Sequence, residues 1–415
     1  MILPRKKVCI TTLGCDKNRA DSEVLAGYLQ RAGCQMVVDD AEADIIVVNT
    51  CGFINSARQE SINCITEKLI HKSHAQLVVC GCIVPNNRNE LCAGLPEVDI
   101  WWETKDYQDL AKLLTGKDIV NGNKLMSTPS SYVYIKIADG CNRCCAFCTI
   151  PSIRGKYASR TVEDIVAEVK HFAELGVPEF ILVAQDVTMY GIDIGSSLVE
   201  LLQAITVVPG VKRVRLHYCY PELLTDKLLK EIADNDHVVK YLDIPFQHCN
   251  ARILKLMGRR GSAESYRNLI KKIRDVIPGV TIRATMMVGF PTETDTEFEE
   301  LVAFLKDVKL DYVGFFAYSR EPGTRSYEMK QVSSAVKKAR LKIVEKVQQE
   351  ILDAKHKSEQ GQVVHVVCDA VVNGIARCRT AAQSPEVDPC IYIEQSDCDE
   401  PFVVGHEYDI VLNRE

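Results

Sequence analysis

The sequence predicts an α/β protein in three parts. They are an N-terminal doubly wound parallel sheet, a central open barrel of six β/α units, and a small C-terminal β-barrel. Three observations lead there. Short β-branched runs alternate with helical patterns near the start, the same alternation then repeats six times, and the chain after Gly361 carries β-runs with no helix between them.

The first part reaches to about residue 120. VCITTLG (8–14), DIIVVNT (44–50) and QLVVCG (76–81) read as buried strands, each followed by polar or helical sequence. In such a sheet, ligands bind beyond the carboxyl ends of the strands. NGNKLMSTPSS (121–131) reads as a linker. From Tyr132 to about residue 330 the candidate strands are VYIKIA, EFILVAQD, RVRLHY, KYLDIPFQ, VTIRATMMVGF and YVGFFAYS. The stretches TVEDIVAEVKHFAELG and TDTEFEELVAFLKDVK are helical, and the second opens with Thr294 and Glu297 at capping-box spacing. Six units are too few for a closed eight-fold barrel, so an open one is expected, with its site at the strand carboxyl ends. Residues 333–359 form a charged connecting helix. Residues 361–415, with VVHVVCDAVV, CIYIE and FVVGHEYDIVL, suit a small β-barrel.

Of 415 residues, 47% are hydrophobic and 26% charged, which excludes a disordered chain. No apolar run approaches the roughly 18–20 residues that cross a bilayer, so no membrane partner is expected. MILPRKKVCITTLG has the basic-then-apolar order of a signal peptide, but its apolar part is short and is interrupted by Thr11, Thr12 and Asp16. It reads as a first strand, and the expected location is the cytoplasm. Eighteen cysteines in a reducing compartment point to metal binding or catalysis. Ten of them sit singly, and a single cysteine is commonly a small buried hydrophobe.

CNRCCAFC (141–148) is the most specific signal. It contains Cys141, Cys145 and Cys148 as Cys-x3-Cys-x2-Cys, and Cys141, Cys144 and Cys148 as Cys-x2-Cys-x3-Cys. Thiolates are soft ligands for iron–sulfur clusters and for zinc. A closed structural site takes four ligands, so a lone triple leaves one metal position for a substrate.

Cys15, Cys51 and Cys82 each fall at or just after the end of one of the first three strands. Strand ends of one parallel sheet share an edge, so these loops either converge on one cluster or carry three inert cysteines. Gly14, Gly52 and Gly81 flank them and allow close backbone approach. Cys80, the penultimate strand residue, is expected in the core.

Cys141-x3-Cys145-x2-Cys148, with Phe147 before the last cysteine, resembles the signature of radical-SAM enzymes. TLGCDKNRADSE, VNTCGFINSARQES and CGCIVPNN resemble the three N-terminal motifs of the methylthiotransferases within them. GCNRCCAFCTIPSIRGKYASR resembles that family's cluster loop, and LDIPFQH, VGFPTET and FFAYSREPGT its later barrel segments. The resemblance covers nearly the whole chain and ends in a TRAM-like module. It departs at Thr292, where the family has glycine, at Cys144, which takes a structural role, and after CGC, where IVPNNRNE replaces a more regular pattern.

The resemblance implies two 4Fe–4S clusters. One, on Cys141, Cys145 and Cys148, would bind S-adenosylmethionine and cleave it to a 5′-deoxyadenosyl radical. The other, on Cys15, Cys51 and Cys82, would carry the sulfur to be transferred. An external electron donor and a sulfur donor are implied as well. The motifs are most similar to the branch that modifies the β-carbon of an aspartate in protein twelve of the small ribosomal subunit. That carbon–hydrogen bond is not acidic enough for a positioned base, hence the radical. A transfer-RNA methylthiotransferase and a purely structural metal-binding module are the rival readings.

Gln185, Gln247 and Glu293 at the barrel mouth are candidates for binding S-adenosylmethionine, with Asp186 and His248 beside them. Each of the five can equally be a strand-end residue serving a turn. Residues 361–415 hold ten acidic residues against three arginines and no lysine. A net charge of −7 there leaves +1 for the rest of the chain, which favours a basic protein over RNA as the partner.

Overall fold

The computed structural model describes residues 5–72, 74–120, 123–397 and 400–412. Asn121 and Gly122 of the linker lie outside it, as do Cys398, Asp399, Arg414 and Glu415. The chain divides into two compact units. The first runs up to Ser127 and includes Asp139–Ala158 and Ser319–Thr324; the second takes Thr128–Ala138, Ser159–Tyr318 and the chain from Arg325 on. The cysteine loop at 141–148 is thus compact with the N-terminal strands. The long connecting helix and the C-terminal sheet are compact with the barrel strands.

In the first unit β1 (Lys7–Thr12), β2 (Gln35–Met36), β3 (Ile45–Thr50), β4 (Gln76–Gly81) and β5 (Ile100–Trp101) form one sheet in the order β2-β1-β3-β4-β5, every pair parallel. The helices are α1 (Asp16–Arg31), α2 (Asn55–His71), α3 (Val84–Gly94) and α4 (Tyr107–Thr115). All six residues of β3 are buried. Side chains alternate across a strand, so Ile45 and Val47 join one core with Leu25, Leu29 and Leu110, while Ile46 and Val48 join the other with Ile65 and Leu91. The continuous apolar run is therefore the mark of a strand covered by helices on both faces. Cys80 lies in the first of these cores, as expected.

In the second unit β6 (Tyr132–Lys136) begins the barrel. Two short strands, β7 (Ala138–Asp139) and β8 (Ala158–Ser159), come next in the chain, and the short helix α5 (Ile150–Arg154) between them belongs to the first unit. Then follow α6 (Val162–Glu174), β9 (Glu179–Val183), α7 (Leu198–Thr206), β10 (Arg213–Leu216), α8 (Asp226–Asp234) and β11 (Val238–Gln247). The barrel ends with α9 (Ala251–Leu256), α10 (Ala263–Val276), β12 (Thr281–Val288), α11 (Asp295–Val308) and β13 (Tyr312–Ala317). Its six strands run parallel in strict chain order, with β6 and β13 at the edges, the open arrangement expected. Thr294 caps α11 and Glu297 returns the bond, so the capping box is present.

The connecting helix is α12 (Ser334–Glu359), and β14 (Val363–Val372), β15 (Ile375–Arg379), β16 (Ile391–Glu394) and β17 (Glu407–Val411) form an antiparallel sheet in the order β16-β15-β14-β17. Among the described residues, no helix is long and apolar enough to cross a membrane.

The loop 380–390, between β15 and β16, reaches the barrel strands. Ser384 is hydrogen-bonded to His217 at 2.6 Å, Tyr241 donates to Asp388 at 2.6 Å, and Tyr134 donates to Glu386 at 3.1 Å. Glu179, at the start of β9 and fully buried, accepts from Arg215 Nε at 2.8 Å and from Arg379 Nη1 at 2.7 Å; Arg379 Nε in turn meets Asp369 at 2.8 Å. The three guanidinium groups of Arg379, Arg215 and Arg213 overcome the burial penalty and hold the Glu179 carboxyl far below the usual carboxylate range.

Candidate metal centres

Strands β1, β3 and β4 are neighbours, so their carboxyl ends stand side by side; Cys51 and Cys82 follow β3 and β4 at once, and Cys15 comes three residues after the end of β1. The loops are in direct contact. Gly14, at φ 91°, has so little room that a Cβ would lie 2.8 Å from Cys51 Cβ and 3.0 Å from Cys51 Sγ. A Cβ on Gly52 would lie 2.5 Å from the carbonyl oxygen of Cys82. Cys15 thus borders Cys51, and Cys51 borders Cys82, because glycine lets the backbones close.

The remaining motif residues hold this arrangement. Asn18, in the first turn of α1, donates through Nδ2 to Leu13 O at 3.0 Å and to Thr50 O at 2.8 Å, and accepts from the Cys82 thiol at 3.4 Å. Asn49 donates to Asn18 O at 2.8 Å. Ser61 Oγ donates to Cys51 O at 2.8 Å and accepts from Cys51 N at 3.1 Å. Cys15 is the exposed N-cap of α1, with no cap bond from its side chain. Burial pushes the Cys82 thiol up to about 11 against the pull of Arg154, and it raises Cys51 too.

The second set lies in the same compact unit. Cys141 N donates to Gly155 O at 3.1 Å, Arg143 N to Cys141 Sγ at 3.4 Å, and Cys148 N to Cys145 O at 3.2 Å. Cys141, Cys145 and Cys148 are half-buried and Cys144 is exposed. Arg154, which ends α5, is buried. Its Nη1 donates to Asp21 at 3.0 Å and to Asp139 at 3.1 Å, its Nη2 to Asn18 Oδ1 at 2.6 Å and to Cys82 Sγ at 3.4 Å. A cleft of about 950 Å³ in this unit is lined by Gly52, Arg58, Ile83, Cys148 and Ser152, among others. On it Arg58 pairs with the buried Glu321 at 2.6 Å, and Glu321 accepts from Asn55 N at 2.8 Å, capping an α2 that has no cap of its own.

The donor chemistry fits iron–sulfur clusters. Each set offers three soft thiols, with backbone or guanidinium N–H groups directed at cysteine sulfur in both. The described cysteines form no disulfide, and among the described residues no group of three or more His, Cys, Asp or Glu side chains is set to hold a single metal ion.

Three family models match the chain: the Radical SAM superfamily over residues 135–305, Uncharacterized protein family UPF0004 over 7–103, and the TRAM domain over 361–411. Ribosomal protein uS12 methylthiotransferase RimO of Clostridium botulinum (strain Loch Maree / Type A3) is 42% identical, over 94% of this chain and 92% of that protein. RimO of Acetivibrio thermocellus is 39% identical over 99% of this chain and 96% of that protein. The chain belongs to the RimO family of radical-SAM methylthiotransferases. Among solved structures, the radical S-adenosylmethionine methyltransferase TsrM from Kitasatospora setae has a TM-score of 0.58 at 16% identity, covering 78% of this chain and 77% of that one. That likeness is one of fold.

In this RimO-family chain the barrel-mouth residues divide. Gln247 ends β11 in the left-handed region, at φ 70°. Among the described residues, its buried Oε1 and the buried Nε2 of His248 have no hydrogen-bond partner. Because His248 Nδ1 accepts from Asn250 N at 3.0 Å, Nε2 carries the proton. An orphaned acceptor and an orphaned donor at a strand end suit a polar ligand. Asp186 instead caps the short turn Val187–Met189 through Thr188 N, and Gln185 beside it is partly buried. Glu293 has its two oxygens on Arg340 at 2.9 Å and Phe290 N at 3.0 Å, the turn-holding role open to any strand-end residue. Sequence reasoning did not single out Asn18, Arg58, Arg154 or Glu321. The one signal that could have found Arg154 is a charge at the end of the short helical stretch IPSIR, directly after the cysteine cluster.

Proposed function

We propose that the chain transfers a methylthio group to the β-carbon of an aspartate in ribosomal protein uS12, using S-adenosylmethionine and two 4Fe–4S clusters. The observation that carries this reading is 39–42% identity with RimO proteins over 94–99% of the chain. Cys141, Cys145 and Cys148 would hold one cluster; Cys15, Cys51 and Cys82 would hold the other. When bound, these groups supply the radical that removes a hydrogen and the sulfur that replaces it. The chain's own part is to hold three thiols on backbone set by Gly14, Gly52 and the Asn18 bonds and three on the loop 141–148, and to offer Gln247 and His248 to a polar ligand. An external reductant and a sulfur source complete the reaction. Eighteen cysteines, none in a disulfide among the described residues, support a reducing, cytoplasmic setting.

The acidic C-terminal module supports a basic protein as substrate. Its surface is less acidic than the count of ten suggests, because Asp369 and Asp388 are buried and Glu407 pairs with Arg213. Arg379 is buried with them, so this arginine is not available to a phosphate backbone. The test is anaerobic incubation of the full chain with S-adenosylmethionine, reductant, and either small ribosomal subunits or transfer RNA, followed by mass spectrometry. One methylthio group on uS12 is expected. Modification of transfer RNA alone would move the chain to the rival branch.

A further inference from the structure

Arg154 stands at a point that neither cysteine set explains. It ends the helix that begins two residues after Cys148, yet its Nη2 lies 3.4 Å from Cys82 Sγ, a member of the other set. The guanidinium is buried and fixed by four partners: Asp21, Asp139, Asn18 and Cys82. Asn18 Oδ1 receives both Arg154 Nη2 and the Cys82 thiol, so the three groups make one closed contact. A residue needed only to close the loop at 139–158 would be satisfied by Asp139.

We propose that Arg154 is a positioning residue that sets the reduction potential of the cluster on Cys15, Cys51 and Cys82, through its charge and its N–H bond to the Cys82 sulfur. The proposal rests on the two-cluster reading above. A reduced cluster carries one more negative charge than an oxidised one. A buried cation and a hydrogen bond to a ligating sulfur therefore stabilise the reduced form and raise the potential. Burial makes the effect larger than the same pair would have in water. By its position, Arg154 also ties the loop of one set to the electrostatics of the other.

The experiment uses full-length chain in which Cys141, Cys145 and Cys148 are replaced by alanine, reconstituted anaerobically and titrated with dithionite under electron paramagnetic resonance. The parent is compared with Arg154→Lys, which keeps the charge but not the fork, and with Arg154→Met, which keeps neither. At a fixed potential, Arg154→Met should shift the oxidised-to-reduced ratio at least tenfold toward oxidised, about 59 mV for one electron. Arg154→Lys should fall between it and the parent. If Met destabilises the fold by leaving Asp21 and Asp139 facing each other, the Lys variant still reports the shift. Equal potentials in iron-loaded variants, or loss of iron from both, would overturn the proposal. A parent that binds no iron would instead remove the two-cluster reading on which it stands.

Discussion

Arg252 Nη2 donates to the carbonyl oxygen of Thr292 at 2.8 Å, and Nη1 to its Oγ1 at 3.2 Å, while Thr292 sits in the left-handed region at φ 68°. A β-branched residue is strained there by roughly 1–2 kcal/mol. This accounts for glycine at the position in related motifs. Arg252, itself held by Glu297 at 2.5 Å, secures the turn that leads into α11. Thr292→Gly should raise stability by about 0.5–1 kcal/mol, the relief of strain less the entropy of a free glycine. Urea unfolding measures it, and a lowered midpoint would refute the assignment.

His248 gives the protein a weakness to mild acid. Burial lowers its pKa to about 4, while an unfolded histidine titrates near 6.5. Between those values the unfolded chain takes up a proton that the folded chain refuses, so stability is complete above about pH 6.5 and falls as pH drops toward 4. The loss should approach about 3 kcal/mol. Urea midpoints at pH 7.5 and 5 should diverge in the parent and draw together in His248→Gln. An unchanged gap would mean that another group is responsible.

Glu179 holds the barrel strands and the C-terminal sheet together by charge. Glu179→Gln removes the anion shared by Arg215 and Arg379 and leaves buried guanidinium groups uncompensated, which costs about 3–5 kcal/mol when a buried pair is broken. Thermal unfolding should shift down by several degrees. A change within error would show that water replaces the carboxylate at no cost.

The two cysteine sets should separate by iron and by chemistry. Reconstituted chain should carry about eight iron atoms, and about four after either set is replaced by alanine. Replacing Cys15, Cys51 and Cys82 should spare the reductive release of 5′-deoxyadenosine but abolish methylthio transfer. Replacing Cys141, Cys145 and Cys148 should abolish both. The reverse pattern would exchange the roles of the two sets.

Local pattern carried much of this structure. The six parallel barrel strands and the α11 capping box depend on period and punctuation within a few residues, and those are visible in a sequence. That Cys15, Cys51 and Cys82 stand on neighbouring loops at one sheet edge was legible, because each comes after a strand whose neighbours could be inferred. Arg154 was not, since its meaning depends on Cys82, Asp21 and Asn18, brought to it by folding across 72, 133 and 136 positions. Arg213 and Arg215 in RVRL look like surface charge until Glu179 and, 200 positions away from it, Arg379 are placed beside them. Burial of a charge is a long-range fact, and a linear pattern records only short-range ones.

The loop 380–390 has a consequence for how the protein is made. Translation delivers the six barrel strands long before Ser384, Glu386 and Asp388, so during synthesis Tyr134, His217, Tyr241 and Glu179 await partners that do not yet exist. A message broken near its end yields a chain with every strand of the barrel but with buried charges and hydroxyl groups unmet, a species open to proteolysis. Only a polypeptide translated past Asp388 can finish its own interior.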